Sequence, residues 1–182
     1  MPAPAGESGR GSPMPEKETI ERARKDARQG KAPSTQAGEF VRQEMEHIRE
    51  GKHGARSAKQ AIAIGLSKAR RAGVKLPPPA KGKVSARTRQ KAERDYQKGQ
   101  GAGTRKPSRT RSKAIVGALQ REGRSAASPL ALARQAHASA KKRGRAARQR
   151  AALKAVRTKG SAGLRQAARK AARTRLSHRR MM

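Results

Sequence analysis

The sequence predicts an all-α protein: a small three-helix module, followed by short, loosely packed basic helices that are partly disordered without a ligand. Two observations lead to this fold class. Serine caps and glycine stops recur at helical spacing, and alanine, lysine and arginine dominate the segments between them. Aromatic residues are only 1% of the 182 residues. Because alanine favours helix but buries little area, a large core is excluded.

The chain begins with a segment rich in Pro, Gly, Ser and Ala over residues 1–13, which predicts a disordered leader. We expect the N-terminal module to cover residues 14–76. Its first helix should begin at Pro15, because proline suits a first helical position, and should end at Gln29. Gly30 then supplies a left-handed stop.

The second predicted helix is capped by Ser34 or Thr35, reaches Glu50 and stops at Gly51. Apolar side chains recur on one of its faces at i, i+3 and i+4 spacing. They are Ala37, Phe40, Val41, Met45 and Ile48. This is the strongest apolar stripe in the acidic part of the chain.

The third predicted helix is capped by Ser57, ends at Ala72 and stops at Gly73. Its small and apolar residues share one face, whereas Arg70 and Arg71 lie outside it. The members of that face are Ala58, Ala61, Ile62, Gly65, Leu66, Ala69 and Ala72.

The module has about ten large apolar side chains. Since a domain of about 60 residues buries only roughly 60% of its unfolded surface, we expect low stability. Self-association or a protein partner is therefore predicted through residues 14–76.

Beyond the module, residues 77–111 are predicted to be a basic linker with one short helix from Ser85 to Lys98. Residues 112–182 form the predicted basic arm, rich in alanine and arginine. Serines and glycines divide the arm into four predicted helices, over residues 112–123, 128–144, 145–160 and 161–182.

The charge is distributed unevenly along the chain, which has 47 Lys and Arg, 12 Asp and Glu and a formal net charge of +35. The first fifty residues hold nine bases and nine acids, and the other 38 bases share residues 51–182 with three acids. So dense a polycation repels itself and needs a polyanion to supply countercharge. Nucleic acid is the commonest polyanion in a cell.

Arginine outnumbers lysine 17 to 7 beyond residue 104. Guanidinium groups bind phosphate oxygens bidentately, and they enter minor grooves without reading bases. The sequence therefore predicts electrostatic, weakly specific contact with duplex phosphates by basic residues of the arm. These residues are Lys141, Lys142, Arg143, Arg145, Arg148, Arg150, Arg157, Arg165, Arg169, Lys170 and Arg173.

The loop that opens the third helix has two alternative interpretations. Lys52, His53, Gly54, Arg56 and Ser57 combine bases with amides at a helix N-terminus, where a phosphate could bind. A plain interhelical turn explains the same residues.

No catalytic residue, cofactor or metal site is predicted, so we do not expect an enzyme. The histidines lie in separate segments without ligand spacing, and Glu44, Glu46 and Glu50 are best explained as a solvated charged face. The chain has no cysteine, which excludes disulfides and thiol chemistry.

Membrane binding is not predicted. The sequence has no apolar run near the ~18 residues that span a bilayer, and its basic helices carry alanine where insertion favours Leu, Phe or Trp. We therefore expect a soluble intracellular protein.

Residues 14–79 resemble a family of small basic bacterial proteins known only as a domain of unknown function. The stretch that carries the resemblance is MPEKETIERARKDARQGKAPSTQAGEFVRQEMEHIREGKHGARSAKQAIAIGLSKARRAGVKLPPP. Residues 106–128, KPSRTRSKAIVGALQREGRSAAS, are similar to the continuation of longer members. The resemblance implies a bacterial origin and a cytoplasmic, nucleoid setting, but no activity. The Ala/Arg/Lys-rich arm resembles, in composition, the tails of bacterial histone-H1-like proteins.

These observations predict a nucleoid-associated protein that binds duplex DNA through its arm. An RNA-binding or ribosome-associated protein is one alternative, although the scarcity of aromatic residues argues against single-strand stacking. A protein-interaction adaptor with a nucleic-acid tether is another.

Overall fold

The computed structural model describes residues 16–101 and 108–180, and in these residues it is all-helical, as the sequence predicts. The predicted leader over residues 1–13, Met14 and Pro15 lie outside the described residues. The elements are α1 (Lys17–Arg28), α2 (Pro33–Glu50), α3 (Ala58–Arg71), α4 (Ala86–Gly99), α5 (Arg109–Gln120), a 3-10 turn (Ser125–Ala127) and α6 (Pro129–Arg180).

Two predicted serine caps are confirmed. Ser57 Oγ accepts a hydrogen bond from the Gln60 amide at 3.2 Å, and Ser85 Oγ accepts one from the Thr88 amide at 3.2 Å. The predicted stop after α2 is also confirmed, since Gly51 adopts the left-handed conformation with φ 80°. The local sequence determines these helix ends, because the hydrogen bonds that form them join residues within one turn.

Three predicted helix starts are wrong. α1 begins at Lys17 with Glu16 as its extended N-cap, two residues after the predicted start at Pro15. α2 begins at Pro33 with Ala32 as its N-cap, rather than after Ser34 or Thr35, because a proline without an amide hydrogen suits the first position. α5 spans Arg109–Gln120, three residues before the predicted 112–123. The chain leaves the helix before Gly123, whose carbonyl oxygen accepts a bond from the Ala55 amide at 3.1 Å.

The first core lies where α1, α2 and α3 meet. Its buried members are Ala23, Ala37, Phe40, Ala69 and Val74, and Ile20 and Leu66 pack against them. α2 and α3 cross at Gly65, where an added Cβ would lie 2.7 Å from Val41 Cα. Only glycine allows this backbone approach.

The second core extends beyond the three predicted helices. Met45, Ile48 and Ala61 are buried there with Ala126 and Ala127 of the 3-10 turn. The 3-10 turn therefore completes the apolar surface that α2 and α3 leave open.

The chain divides into two compact units, Met1–Gln135 and Ala136–Met182. The sequence places the module boundary at residue 76, whereas the first unit also includes α4, α5 and the 3-10 turn. α4 packs on α3 through a hydrogen bond from Ser67 Oγ to Asp95 Oδ2 at 2.7 Å.

Arg70, predicted outside the apolar face, is buried at 7% exposure and donates to the Leu76 carbonyl. Burial lowers the pKa of Arg70 below its ordinary value, and the negative charge of Asp95 partly offsets this effect by raising it.

Two glycines interrupt α6. Gly144 has φ 74° and ψ 172°, and Gly160 has φ 64° and ψ 178°, values that are not helical. The helical stretches are 129–143, 145–159 and 161–180, so the breaks predicted from these glycines are confirmed. No helix of the described residues is both long and apolar enough to cross a membrane.

Candidate functional site

The predicted cations of the arm are all exposed to solvent. This holds for Lys141, Lys142, Arg143, Arg145, Arg148, Arg150, Arg157, Arg165, Arg169, Lys170 and Arg173. The segment 136–182 holds 16 Lys and Arg and no Asp or Glu. No carboxylate side chain of that segment can therefore neutralise them.

Several cations of residues 16–50 are paired with carboxylates. Arg42 pairs with Glu39 at 2.6 Å, Lys31 with Asp26 at 2.6 Å, and Arg22 Nε lies 3.1 Å from Glu39. Residues 1–50 hold nine bases and nine acids, so their charge is balanced, whereas the first unit as a whole holds 31 bases and 12 acids. The contrast follows the charge distribution in the sequence.

In the last stretch of α6, arginines recur every four residues at Arg165, Arg169 and Arg173. Such residues share one face and follow each other at about 6 Å along the axis. Each strand of B-DNA presents a phosphate about every 3.4 Å of axis, so the repeat approximates two phosphate steps. Leu164, Ala168 and Ala172 follow one another at the same four-residue spacing and lie outside this face.

The predicted phosphate loop is a packed connection. The Gly54 amide donates to the Leu119 carbonyl at 2.8 Å, and the Ala55 amide is bonded to Gly123. An added Cβ on Gly54 would lie 1.9 Å from the Glu122 carbonyl oxygen, so this glycine serves close packing. Both amides are committed within the chain and are not open to a phosphate.

The other loop residues are also engaged. Lys52 Nζ lies 2.9 Å from Glu50, the Arg56 amide donates to Gln60 Oε1 at 3.1 Å, and Ser57 caps α3. The His53 side chain is only 10% exposed. The structure thus brings Lys52 and His53 toward acidic residues.

A polar cluster lies under this loop and consists of Glu16, Glu44, His47, His53 and Lys68. Lys68 Nζ donates to Glu44 Oε2 at 2.7 Å, and both side chains are almost fully buried. His53 Nε2 lies 3.3 Å from Glu44 Oε1. The cluster therefore holds a buried ion pair, and the imidazole of His53 lies near the second carboxylate oxygen of Glu44 without a hydrogen bond to it.

His47 connects the cluster to the start of α1. Its Nε2 lies 2.8 Å from Glu16 Oε1, and its ring is 6% exposed. The hydrogen bond from His47 holds the pKa of the Glu16 carboxyl below its ordinary value, and the charge of Lys52 acts in the same direction. Glu16 is thus kept ionised beside a buried histidine.

Sequence reasoning missed this cluster. Glu44 was expected on a solvated face with Glu46 and Glu50, but it is 1% exposed. The signal was present, because Glu44 lies midway between Phe40 and Ile48 at i+4 spacing, on the core face of α2. A single carboxylate in that stripe required a buried partner, and the sequence did not identify Lys68 as that partner.

Comparison with curated proteins and with solved structures gives no match. The model described as "Family of unknown function (DUF6496)" matches residues 16–81. That segment contains α1, α2, α3 and the whole polar cluster, whereas the basic arm lies outside it. Over residues 16–81 the chain is therefore similar to this uncharacterised family.

Proposed function

We propose that the protein binds duplex DNA without sequence specificity, through the basic residues of its arm. One observation carries the proposal: residues 136–182 contain 16 bases and no Asp or Glu, and the described bases up to Arg175 are exposed. An exposed row of uncompensated cations attracts phosphates and releases their counterions. In a bacterium, such a protein would associate with the nucleoid.

The proposed binding does not depend on the base sequence of the DNA. Phe40 is fully buried, which leaves Tyr96 as the other aromatic residue of the chain. Stacking on unpaired bases is therefore poorly supported, and arginine contact with phosphates and minor grooves is favoured.

The salt dependence of affinity tests the mechanism. A protein that engages about eight phosphates should show a slope near −7 in a plot of log affinity against log salt concentration. Duplex affinity that stays constant from low to moderate salt would contradict it.

A charge-matched pair of full-length variants tests the location of binding. One replaces Arg143, Arg145, Arg148 and Arg150 by Gln, and the other replaces Lys17, Arg24, Lys25 and Arg28, which are exposed on α1. Both lose four charges, so net charge is equal. If the arm makes the contacts, only the first variant should reduce the slope, by up to about 3.6.

Equal loss in both variants would show that affinity depends on net charge alone and would contradict a binding surface on the arm. Competition between duplex DNA and structured RNA at fixed salt decides the nucleic acid. Preference for RNA would replace DNA by RNA as the ligand.

A further inference from the structure

We propose that Glu44, His47 and His53 form a binding site for one divalent transition-metal ion of the zinc class. The site lies within residues 16–81 and does not depend on the proposed binding of DNA. The sequence predicts no metal ligand, because these histidines lack ligand spacing and meet only in the folded chain.

The distances suit a metal. One potential ligand atom from each of the three residues lies within 4.8 Å of the others. His53 Nε2 and Glu44 Oε1 are 3.3 Å apart. With bond lengths of 2.0–2.2 Å, two ligand atoms of tetrahedral zinc are separated by about 3.3 Å. The two imidazole planes are nearly perpendicular, at 88°, so the rings do not stack on each other.

Glu44 has one oxygen that its protein partners leave unsatisfied. Lys68 donates to Oε2, whereas Oε1 is buried and makes no hydrogen bond. A buried carboxylate oxygen without a donor is costly. A cation placed between Oε1 and His53 Nε2 would satisfy both atoms.

The hydrogen bonds of the histidines select the nitrogens that would face the ion. His53 Nδ1 lies 3.1 Å from the Gly54 carbonyl oxygen, and His47 Nε2 contacts Glu16. Both oxygens are acceptors, which favours the tautomers that carry the proton on these ring nitrogens. In the neutral rings, His53 Nε2 and His47 Nδ1 remain as unprotonated donors of electron pairs. Metal-binding histidines commonly have this outer contact to a carbonyl or carboxylate.

The fold holds the three ligands in place without a metal. Glu44 and His47 are three residues apart on α2 and therefore share a face. His53 is fixed by the loop whose Gly54 and Ala55 amides bind the segment after α5. The backbone positions of the ligands are therefore set before an ion binds, and that favours affinity.

The surrounding charge is suited to a dication. Within the polar cluster, Glu16 and Glu44 supply two negative charges, whereas Lys68 supplies one positive charge. The excess is one negative charge, and the imidazoles are neutral ligands. Their nitrogens, with a carboxylate oxygen, favour zinc over calcium or magnesium.

Zinc titration of the chelator-treated full-length protein tests the site, with affinity measured by competition against a chromophoric chelator. We expect one ion per chain. His53→Gln should weaken binding more than about 100-fold, since removing a ligand exceeds the 10–100-fold effect of an outer contact. Glu16→Gln, which alters that outer contact, should weaken it about 10–100-fold. His137→Gln is the matched control, because His137 is exposed in the second unit.

Two further measurements keep the test independent of folding defects. Cobalt(II) should give the intense visible absorption of a low-coordinate site with the unaltered protein and with His137→Gln. Zinc should raise the unfolding temperature of these two proteins but not of His53→Gln. Circular dichroism verifies that the variants fold.

Absence of stoichiometric zinc binding by the unaltered protein would overturn the proposal and leave Glu44 and Lys68 as a plain buried ion pair. Binding that His53→Gln leaves unchanged would also overturn it. Because zinc is measured without DNA, failure here is distinct from failure of the proposed function.

Discussion

At Gly65 the backbones of α2 and α3 approach so closely that a methyl group would meet Val41 Cα at 2.7 Å. Gly38, in α2, has no neighbour within 4 Å of an added Cβ. Both glycines are helical, so the two sites differ mainly in the space around them. Alanine substitutions at these two glycines therefore distinguish the effect of packing from the effect of helix propensity.

Gly65→Ala should lower the free energy of unfolding by about 1–3 kcal/mol, because overpacking outweighs the gain in propensity. Gly38→Ala should raise it by up to about 1 kcal/mol. Urea denaturation followed by circular dichroism measures both. A stable Gly65→Ala protein would show that the helices can separate at little cost.

The buried ion pair of Glu44 and Lys68 is a second feature whose contribution to stability a single substitution can measure. Lys68→Met should destabilise the metal-free protein by about 3 kcal/mol, because it leaves a carboxylate buried without its ammonium partner. Lys59→Met, on the exposed side of α3, should change stability by no more than about 0.5 kcal/mol. Denaturation in the presence of a chelator measures these effects, and equal stability of the two variants would contradict the ion pair.

At the scale of elements, the arm is a series of helices separated by glycine. The conformations of Gly144 and Gly160, with positive φ and ψ near 180°, are essentially restricted to glycine. An alanine there cannot maintain the break and favours helix instead. Each glycine thus ends one helix and allows the next to begin.

The double substitution Gly144→Ala and Gly160→Ala should increase helix content, because one helix then needs one nucleation event rather than three. Far-UV circular dichroism of the full-length protein detects the increase. Gly117→Ala provides the control, since Gly117 is already helical in α5 and has an open neighbourhood. An equal increase in the control would mean that the breaks themselves are unimportant.

At the scale of the whole molecule, the two units differ in burial as well as in charge. The first unit contains both cores, whereas residues 141–177 are exposed apart from Ala147, Gly163 and Leu164. Helices without an apolar face in a core open readily. Protection of backbone amides should therefore differ strongly along the chain.

Hydrogen exchange followed by mass spectrometry should show amides of residues 141–177 exchanging at least about tenfold faster than those of α2 and α3. Added duplex DNA should slow exchange in residues 141–177 and leave α2 and α3 unchanged. Equal protection of both regions in the free protein would contradict the expected marginal stability of the arm.

Local sequence determined the all-helical fold class and many helix ends. Ser57, Ser85, Gly51, Gly144 and Gly160 act on their own turn of chain, so their effect can be derived from a few neighbouring residues. The separation of charge between the first fifty residues and the arm is likewise a property of the sequence alone. It supports the proposed contact with phosphates.

Tertiary structure decided the packing of α4 and the 3-10 turn on the module, and it decided the polar cluster. Glu44 and Lys68 are 24 residues apart, and Arg49 donates to the Ala127 carbonyl across 78 residues. Periodicity assigns a residue to a helix face, but it does not state which distant residue will face it. The candidate metal site exists only because folding brings His53 to Glu44 and His47.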